Sequence, residues 1–574
     1  HMVNTCREMA TAMVRAAYSP IFNEARDFSC AIFDPQGVML AQGEGCPSQI
    51  GAIRHTVKWT IAEVGADNIQ SGDVIIHNDP YRGGCHMPEH MVLKPVFYHG
   101  SLLAFVANIA HVAEIGGMAP GSFASNATEV YQEGLRLPPA KLLSRGEHVR
   151  DVWKIILANH RTPRHTWGDF HAMLGSLNVA ERRLIELADK YGADTVQRAG
   201  AELINHAERW MREEIRRIPE GQYVFEDEME DDGVVDQPAR FRVTVTIGKG
   251  EAIVDYTGSD PQTRGPINAT YSVTSAATCN AFLQVTDSTI PRNDGVYRPI
   301  RIIAPPGTVV NVRHPGPSVG GNTETQPKMV LLVLGALAQA IPDRVSASEG
   351  ITCCNFLFGG EHPQTHQYYA NYHFEASGWG GRLRTDGNSA QNHIHGNCRV
   401  TPVEVFETRF PWLTHTYEMI SDSGGAGRRR GGVATRRIVE ACAPEIRVSV
   451  FMDHVKEGAW GFRGGFDGRT AGVYLKRAND DTFRPFTEAC GTVSPSKFAN
   501  ILIRQGDQIM IESAGGAGYG PAQDREPELV LRDVGEGYVS VEAARRDYRA
   551  SIRRDNGRFS IDREETARLR AAGP

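Results

Sequence analysis

Apolar residues recur at helical spacing near the start of the chain. Cys6, Met9, Ala10, Met13 and Ala17 share one stripe of residues 3–17, which predicts a helix. Two short apolar runs on either side of Asp34-Pro35-Gln36-Gly37 predict a hairpin, and Ile53, Val57, Ile61 and Val64 predict a helix over 53–64. Two nearly unbroken apolar runs, 91–98 and 102–110, meet at His99-Gly100 and predict a second, longer hairpin. Residues 161–169 read as a loop. Leu174, Leu177, Leu184 and Leu187 mark one helix beyond it; Ala201, Leu203, Ile204 and Trp210 mark another, stopped at Pro219-Glu220-Gly221. From Tyr223 the pattern shortens to alternation, clearest in RFRVTVTIGKGEAIVDYTG with its turn at Lys249-Gly250. Helices are expected near 270–285 and 325–341, among many Gly- and Pro-rich loops. The fold class implied is α+β and multi-domain: mixed α/β over 1–220, β-rich with Gly-rich loops over 221–525, and a charged, helical segment over 526–574.

Composition narrows the function. At 574 residues the chain can bury a large core without staples. A net charge of −7 and the lack of any long basic run argue against nucleic acid or an anionic membrane as partner. The longest apolar run, 329–341, is too short for the roughly 20 residues of a membrane span and reads as a buried helix. Ten scattered cysteines without a CxxC pair suggest free thiols and a cytoplasmic setting. Cys85, beside His86, reads as a packed small residue. No signal peptide is visible; His1-Met2 reads as a cloning remnant, with the natural beginning expected upstream.

The second hairpin carries candidate chemistry. With a two-residue turn at His99-Gly100, His111 lies opposite Pro88, beside Glu89 and near His86. Opposed Cβ atoms are roughly 5 Å apart, so His86, Glu89 and His111 can meet at the open end. Such a set suits a divalent cation, zinc or, with more oxygen ligands, manganese. The alternative is two hydrogen-bonded surface histidines. Pro88 and Pro95 point to an edge strand or a bulge. Asp79, ahead of Pro80, reads as the former of an Asx turn.

The Gly-rich loops match neither a P-loop nor a dinucleotide fingerprint. They read as tight turns, or as anion-binding loops in which Asn322, Thr323 and Arg428 face a substrate.

The stretches RDFSCAIFD, GDVIIHNDPYRGG, NIAHVAEIGG, EGLRLPPAKL, RGPINA, VGGNTETQ, TPVEVFE, DSGGAGRRRGG and GGAGYG occur in this order. Together they resemble the B-type component of the hydantoinase/oxoprolinase family, to which the related components of acetone and acetophenone carboxylases and of an ATP-dependent caprolactamase belong. The resemblance implies that residues 1–220 hold a divalent metal on Asp27, His86, Glu89 and His111, zinc first and manganese second. It has the family's spacing of 25 residues between the two histidines. Two positions depart from the family: Glu89 and Glu114 stand where Asp is usual, and the extra methylene moves the oxygen by about 1.5 Å. An A-type, ATP-binding subunit (hydantoinase A-like) is the implied partner, in a hetero-oligomer with two copies of each. It would phosphorylate the substrate oxygen before the present chain opens a cyclic amide of the 5-oxoproline, hydantoin or lactam type. Glu114 and Glu129 are the candidate general acid and base. The alternatives are a ketone carboxylase that joins a metal-held enolate to CO2, and a scaffold without chemistry.

Overall fold

A computed structural model describes residues 1–572; the last two residues of the expected C-terminal segment lie outside them. Helix α1 (Met2–Ala16) buries Cys6, Met9 and Met13, as its stripe requires. A short helix α2 (Pro20–Asn23) leads to strands β1 (Phe28–Phe33) and β2 (Met39–Gln42), followed by helix α3 (Pro47–Val64). Strands β3 (Val74–His77), β4 (Glu89–Tyr98), β5 (Ser101–His111), β6 (Ala140–Ser144) and β7 (Glu147–His148) complete a seven-stranded sheet in the order β2-β1-β5-β4-β3-β6-β7. Every pairing in it is antiparallel. β1 is buried at all its positions, and β4 and β5 at nearly all, so both faces of the sheet are covered. This is why these strands read as continuous apolar runs instead of alternating ones.

Helix α4 (Arg150–Asn159) precedes the long helices α5 (Pro163–Tyr191) and α6 (Ala193–Arg216). The expected loop over 161–169 is therefore mostly helix: Pro163 opens α5, where a proline lacks no hydrogen bond that the first turn needs. Asp169, near the start of this helix, accepts the backbone N–H groups of Tyr18 (2.8 Å) and Ser19 (3.0 Å) and fixes the approach to α2.

A four-stranded sheet follows, of β8 (Gly221–Met229), β9 (Ala239–Gly248), β10 (Glu251–Asp255) and β11 (Ile300–Ile303), with β10 and β11 parallel. Helices α7 (Tyr271–Val285) and α8 (Thr325–Ala338) pack on each other, α8 on β8 and β9, and α7 on α3. α8, which holds most of the longest apolar run, is buried at every position. One hydrophobic core has members on both sides of the expected boundary at residue 220, from Cys6 to Phe451.

Two further sheets share a second core. One holds β12 (Asn355–Glu361), β13 (Tyr368–His373), Glu445–Phe451 and Lys497–Arg504; the other holds Trp412–Met419, Thr435–Ala441, Gln508–Glu512, Gly472–Lys476 and Arg484–Pro485. The Gly-rich loops interleave beside them: Gly425 N–H donates to Gly516 O at 2.8 Å, and Gly516 N–H to Gly432 O at 3.0 Å. A Cβ on Gly432 would stand 1.9 Å from Asn388 O, so these glycines allow backbones to touch. The C-terminal segment is not wholly helical. Ile552–Asp555 and Arg558–Ile561 form a hairpin between helices Val541–Asp547 and Arg563–Ala571.

Candidate metal centre

The hairpin of β4 and β5 has the expected turn but not the expected register at its open end. Tyr98 faces Ser101 and Phe97 faces Leu102; a bulge then inserts one residue into β5, so that Val96 faces Ala104. From there on the pairing is displaced by one, and His111 lies opposite Glu89 instead of Pro88. Nor is β4 an edge strand. Its pairing with β3 covers only Met91 to Leu93, so Pro95 stands past the end of β3, where no ladder bond is required of it.

Three local features gather the candidate ligands. β1 runs along the other side of β5, and Asp27, just before it, accepts the His111 backbone N–H at 3.1 Å through its carbonyl. A turn into β4, closed by Glu89 N–H to His86 O at 3.0 Å, carries His86 back over the strand end. Direct opposition supplies Glu89. The result is compact: His86 Nε2 is 3.7 Å from Glu89 Oε1, His111 Nδ1 is 3.9 Å from Asp27 Oδ2, and the two imidazole centroids are 5.1 Å apart.

All four side chains are buried. Burial holds His86 down to about 4 and His111 well below the ordinary imidazole value, so both rings are neutral near neutral pH. Burial also pushes Asp27 up to about 7 and, with Asp27 beside it, Glu89 up to about 8. His86 Nδ1–H donates to Val319 O at 2.9 Å, which leaves the Nε2 lone pair facing Glu89. His86 Nε2, His111 Nε2 and Glu89 Oε2 are buried without a hydrogen-bond partner. Among the described residues, the only ion-pair partners of Asp27 and Glu89 are these two histidines. Two buried carboxyl groups beside two imidazoles are ligand types that could hold a divalent ion, although among the described residues no three of these four side chains bring ligand atoms within 4.8 Å of one another.

Neighbours hold the set in place. Gln49 donates to Asp27 Oδ1 at 2.7 Å while accepting from Ser29 Oγ at 3.0 Å, and Asn322 donates to Glu89 Oε1 at 3.1 Å. The Tyr372 ring stacks on His111 at 4.4 Å, and its hydroxyl donates to Asn355 Oδ1 at 2.6 Å. Because Gln49 orients Asp27, Gln49→Leu is expected to weaken divalent-ion affinity by about 10–100-fold with little change in fold. Calorimetric titration of zinc into the metal-stripped variant measures this, and unchanged affinity would remove Gln49 from the support.

Asp27, Glu89 and His111 line a cavity of about 20 Å³ together with Asn322, Thr323 and Cys398. Asn322 Oδ1 and Thr323 Oγ1 are buried there without partners. The other sequence candidates lie apart from it. Glu114 is enclosed by Arg161 (2.9 Å) and by the N–H groups of Gly116 and Gly121, where it clamps the loop after β5. Glu129 is exposed and caps a short 3-10 turn with Gln132. Arg428 donates to Leu383 O at 3.4 Å beside the Gly-rich loops. Asp79 accepts the Tyr81 N–H at 3.0 Å, the expected Asx turn. Sequence reasoning missed Gln49, Cys46, Cys398, Tyr372 and His393. A signal existed for the last: the His-x-His of NHIHGN is a ligand-type spacing, as informative in kind as that of His86 and Glu89.

Comparison with known proteins finds relatives that span nearly the whole chain. The family model described as hydantoinase B/oxoprolinase matches residues 1–522. A putative D-/L-hydantoinase B-type chain of Pseudomonas sp. (strain NS671) is 34% identical, over 99% of this chain and 96% of that one. The crystal structure of ATP-dependent caprolactamase from Pseudomonas jessenii superposes with a TM-score of 0.88 at 30% identity, covering 99% of this chain and 97% of that one. A nucleotide-free acetone carboxylase structure superposes with a TM-score of 0.89 at 19% identity, covering 100% of this chain and 81% of that one, a likeness of fold.

Proposed function

The chain belongs to the hydantoinase B/oxoprolinase family, and from that premise we propose that it is the metal-holding component of an ATP-dependent enzyme that opens a cyclic amide. The observation that carries this reading is the set of unpartnered, buried donors on His86, Glu89 and His111, with Asp27 beside them. The hydantoinase and ATP-dependent caprolactamase relatives support the substrate class, and the B-type naming of the hydantoinase chain supports an A-type partner. No helix among the described residues is long and apolar enough to cross a membrane.

A ring amide resists water because its nitrogen delocalises into the carbonyl. Phosphorylation of the oxygen in the partner removes that obstacle and leaves an electrophilic carbon. Asp27, His86, Glu89 and His111 would hold a divalent ion, which would supply Lewis-acid polarisation and lower the pKa of water. The chain's own residues do the rest. Asn322 and Gln49 hold the two carboxyl groups in orientation, while the free Thr323 Oγ1 and Asn322 Oδ1 offer hydrogen bonds to a water in the cavity they line. The cavity of about 20 Å³ holds one water and no lactam. An adjoining pocket of about 560 Å³ shares Asn392, His393 and Cys398 with it, so the substrate's route runs past these residues.

The test is co-expression with an A-type subunit and assay of ATP consumption. Consumption that depends on 5-oxoproline, a hydantoin or caprolactam, without bicarbonate, is the expected result. A requirement for bicarbonate and a ketone would make the chain part of a carboxylase, and purified complex without divalent metal would make it a scaffold.

A further inference from the structure

A second group of ligand atoms adjoins the first on its sulfur side. A carboxylate oxygen of Asp27 and the Sγ atoms of Cys46 and Cys398 all lie within 4.8 Å of one another. Among the described residues this is the one trio of His, Cys, Asp or Glu that closes so tightly. Cys46 is the residue before α3, and its backbone N–H donates to Ser29 Oγ at 3.0 Å. Cys398 comes from a segment folded onto the same corner. Ser48 N–H donates to His395 O at 3.2 Å, Asn397 Nδ2 to Gly45 O at 3.0 Å, and Arg399 N–H to Ala25 O at 2.9 Å. Three chain segments thus converge on Asp27 and pin the two thiols beside it. The thiols already bond within the trio: Cys398 hydrogen-bonds to Asp27 and to Cys46, and Cys46 also meets Ser48 Oγ at 2.8 Å and His395 O at 3.5 Å.

We propose that Asp27, Cys46 and Cys398 form a binding site for a thiophilic divalent ion, zinc by its ligand chemistry, that shares Asp27 with the His86, Glu89 and His111 set. Zinc–sulfur and zinc–oxygen bonds of about 2.3 and 2.1 Å place ligand atoms of a tetrahedron roughly 3.5 Å apart. The trio therefore needs to close by no more than about 1.3 Å. Each thiol gives its proton to solvent on coordination, so a dication meets two thiolates and a carboxylate. Cys398 also lines the pocket of about 560 Å³, which gives the ion its entry. Manganese, which prefers oxygen, is selected against here, so the two sets can take different metals side by side.

Cobalt(II) alone, titrated into reduced, metal-stripped full-length protein, tests this. A thiolate-to-cobalt charge-transfer absorption in the near ultraviolet is expected. Cys398→Ser and Cys46→Ser should each abolish it and lower bound cobalt by about half, while the His86→Ala/His111→Ala double variant keeps it. Cobalt binding without the absorption, or an absorption that survives both serine changes, overturns the proposal. If a serine variant fails to fold, zinc-edge X-ray absorption of the wild type decides: two sulfur neighbours per zinc with the sulfur set alone filled, or an average of about one with both sets filled, support the site, and none removes it. The absorption reports ligation alone, so a negative cyclic-amide assay leaves this result standing.

Discussion

His111→Ala is expected to empty the nitrogen-and-oxygen site while the fold survives. The ring's Nε2 is buried without a partner, so its removal also removes a desolvation penalty of about 1–3 kcal/mol. That gain offsets most of the cavity left beside Tyr372. The metal-stripped variant should therefore melt close to metal-stripped wild type. The difference appears on adding metal. At free ion about 1,000-fold above Kd the wild type gains about 4 kcal/mol, and the variant gains far less. Amide-dependent ATP consumption with the partner should fall by about 100-fold or more. Metal analysis and paired melts with and without zinc check this; a variant retaining full zinc content and the full thermal gain would take His111 out of the site.

The largest stability effect is expected at a second buried charge cluster, at Lys497→Met. Lys497 is fully buried, with Nζ 2.8 Å from Asp453 Oδ1 and 3.5 Å from Asp231 Oδ2. Burial lowers the lysine pKa, but Asp453 and Asp231 outweigh it and hold the ammonium charged. Ser494 Oγ donates to Asp231 at 3.1 Å, and a second, partly buried pair, Lys328 with Asp227 at 3.2 Å, lies close by. Methionine fits the stem and strands both carboxylates, a loss of about 3–5 kcal/mol. The double variant Lys497→Met/Asp453→Asn should recover part of it. Urea midpoints measure both, and a single-variant loss below about 1 kcal/mol would show that the lysine charge is not what balances this network.

Much of the N-terminal fold was legible because its elements carry their own periodicity. The stripe of α1, the α3 face and both hairpin turns follow from residues within a few positions of one another. The hairpin's far end followed only in part: Pro95 signals an edge strand or a bulge, and the bulge does lie beside it, at Val96 and Phe97 opposite Leu103, but a proline does not tell which strand takes the extra residue or that the register shifts by one. Residues 161–169 resist a local reading because Thr162-Pro163 fits a turn as well as the first turn of a helix; burial of Gly168 against Tyr18 decides between them. For the site, local pattern reached His86, Glu89 and His111, and family resemblance reached Asp27. Neither reached Cys46, Cys398 or Tyr372. Their roles exist only when segments hundreds of residues apart meet, and such meetings leave no mark in sequence spacing.

The cavity's walls come from residues near 27, 46, 89, 111, 322, 353, 372 and 398. During synthesis the β4–β5 hairpin leaves the ribosome long before Cys398 does, at about 5–20 residues per second. For many seconds the nascent chain presents imidazoles and carboxylates that cannot yet enclose an ion. On the proposed reading any ion would therefore enter late in the life of the polypeptide, and a chain truncated before residue 398 should emerge folded in part and without metal.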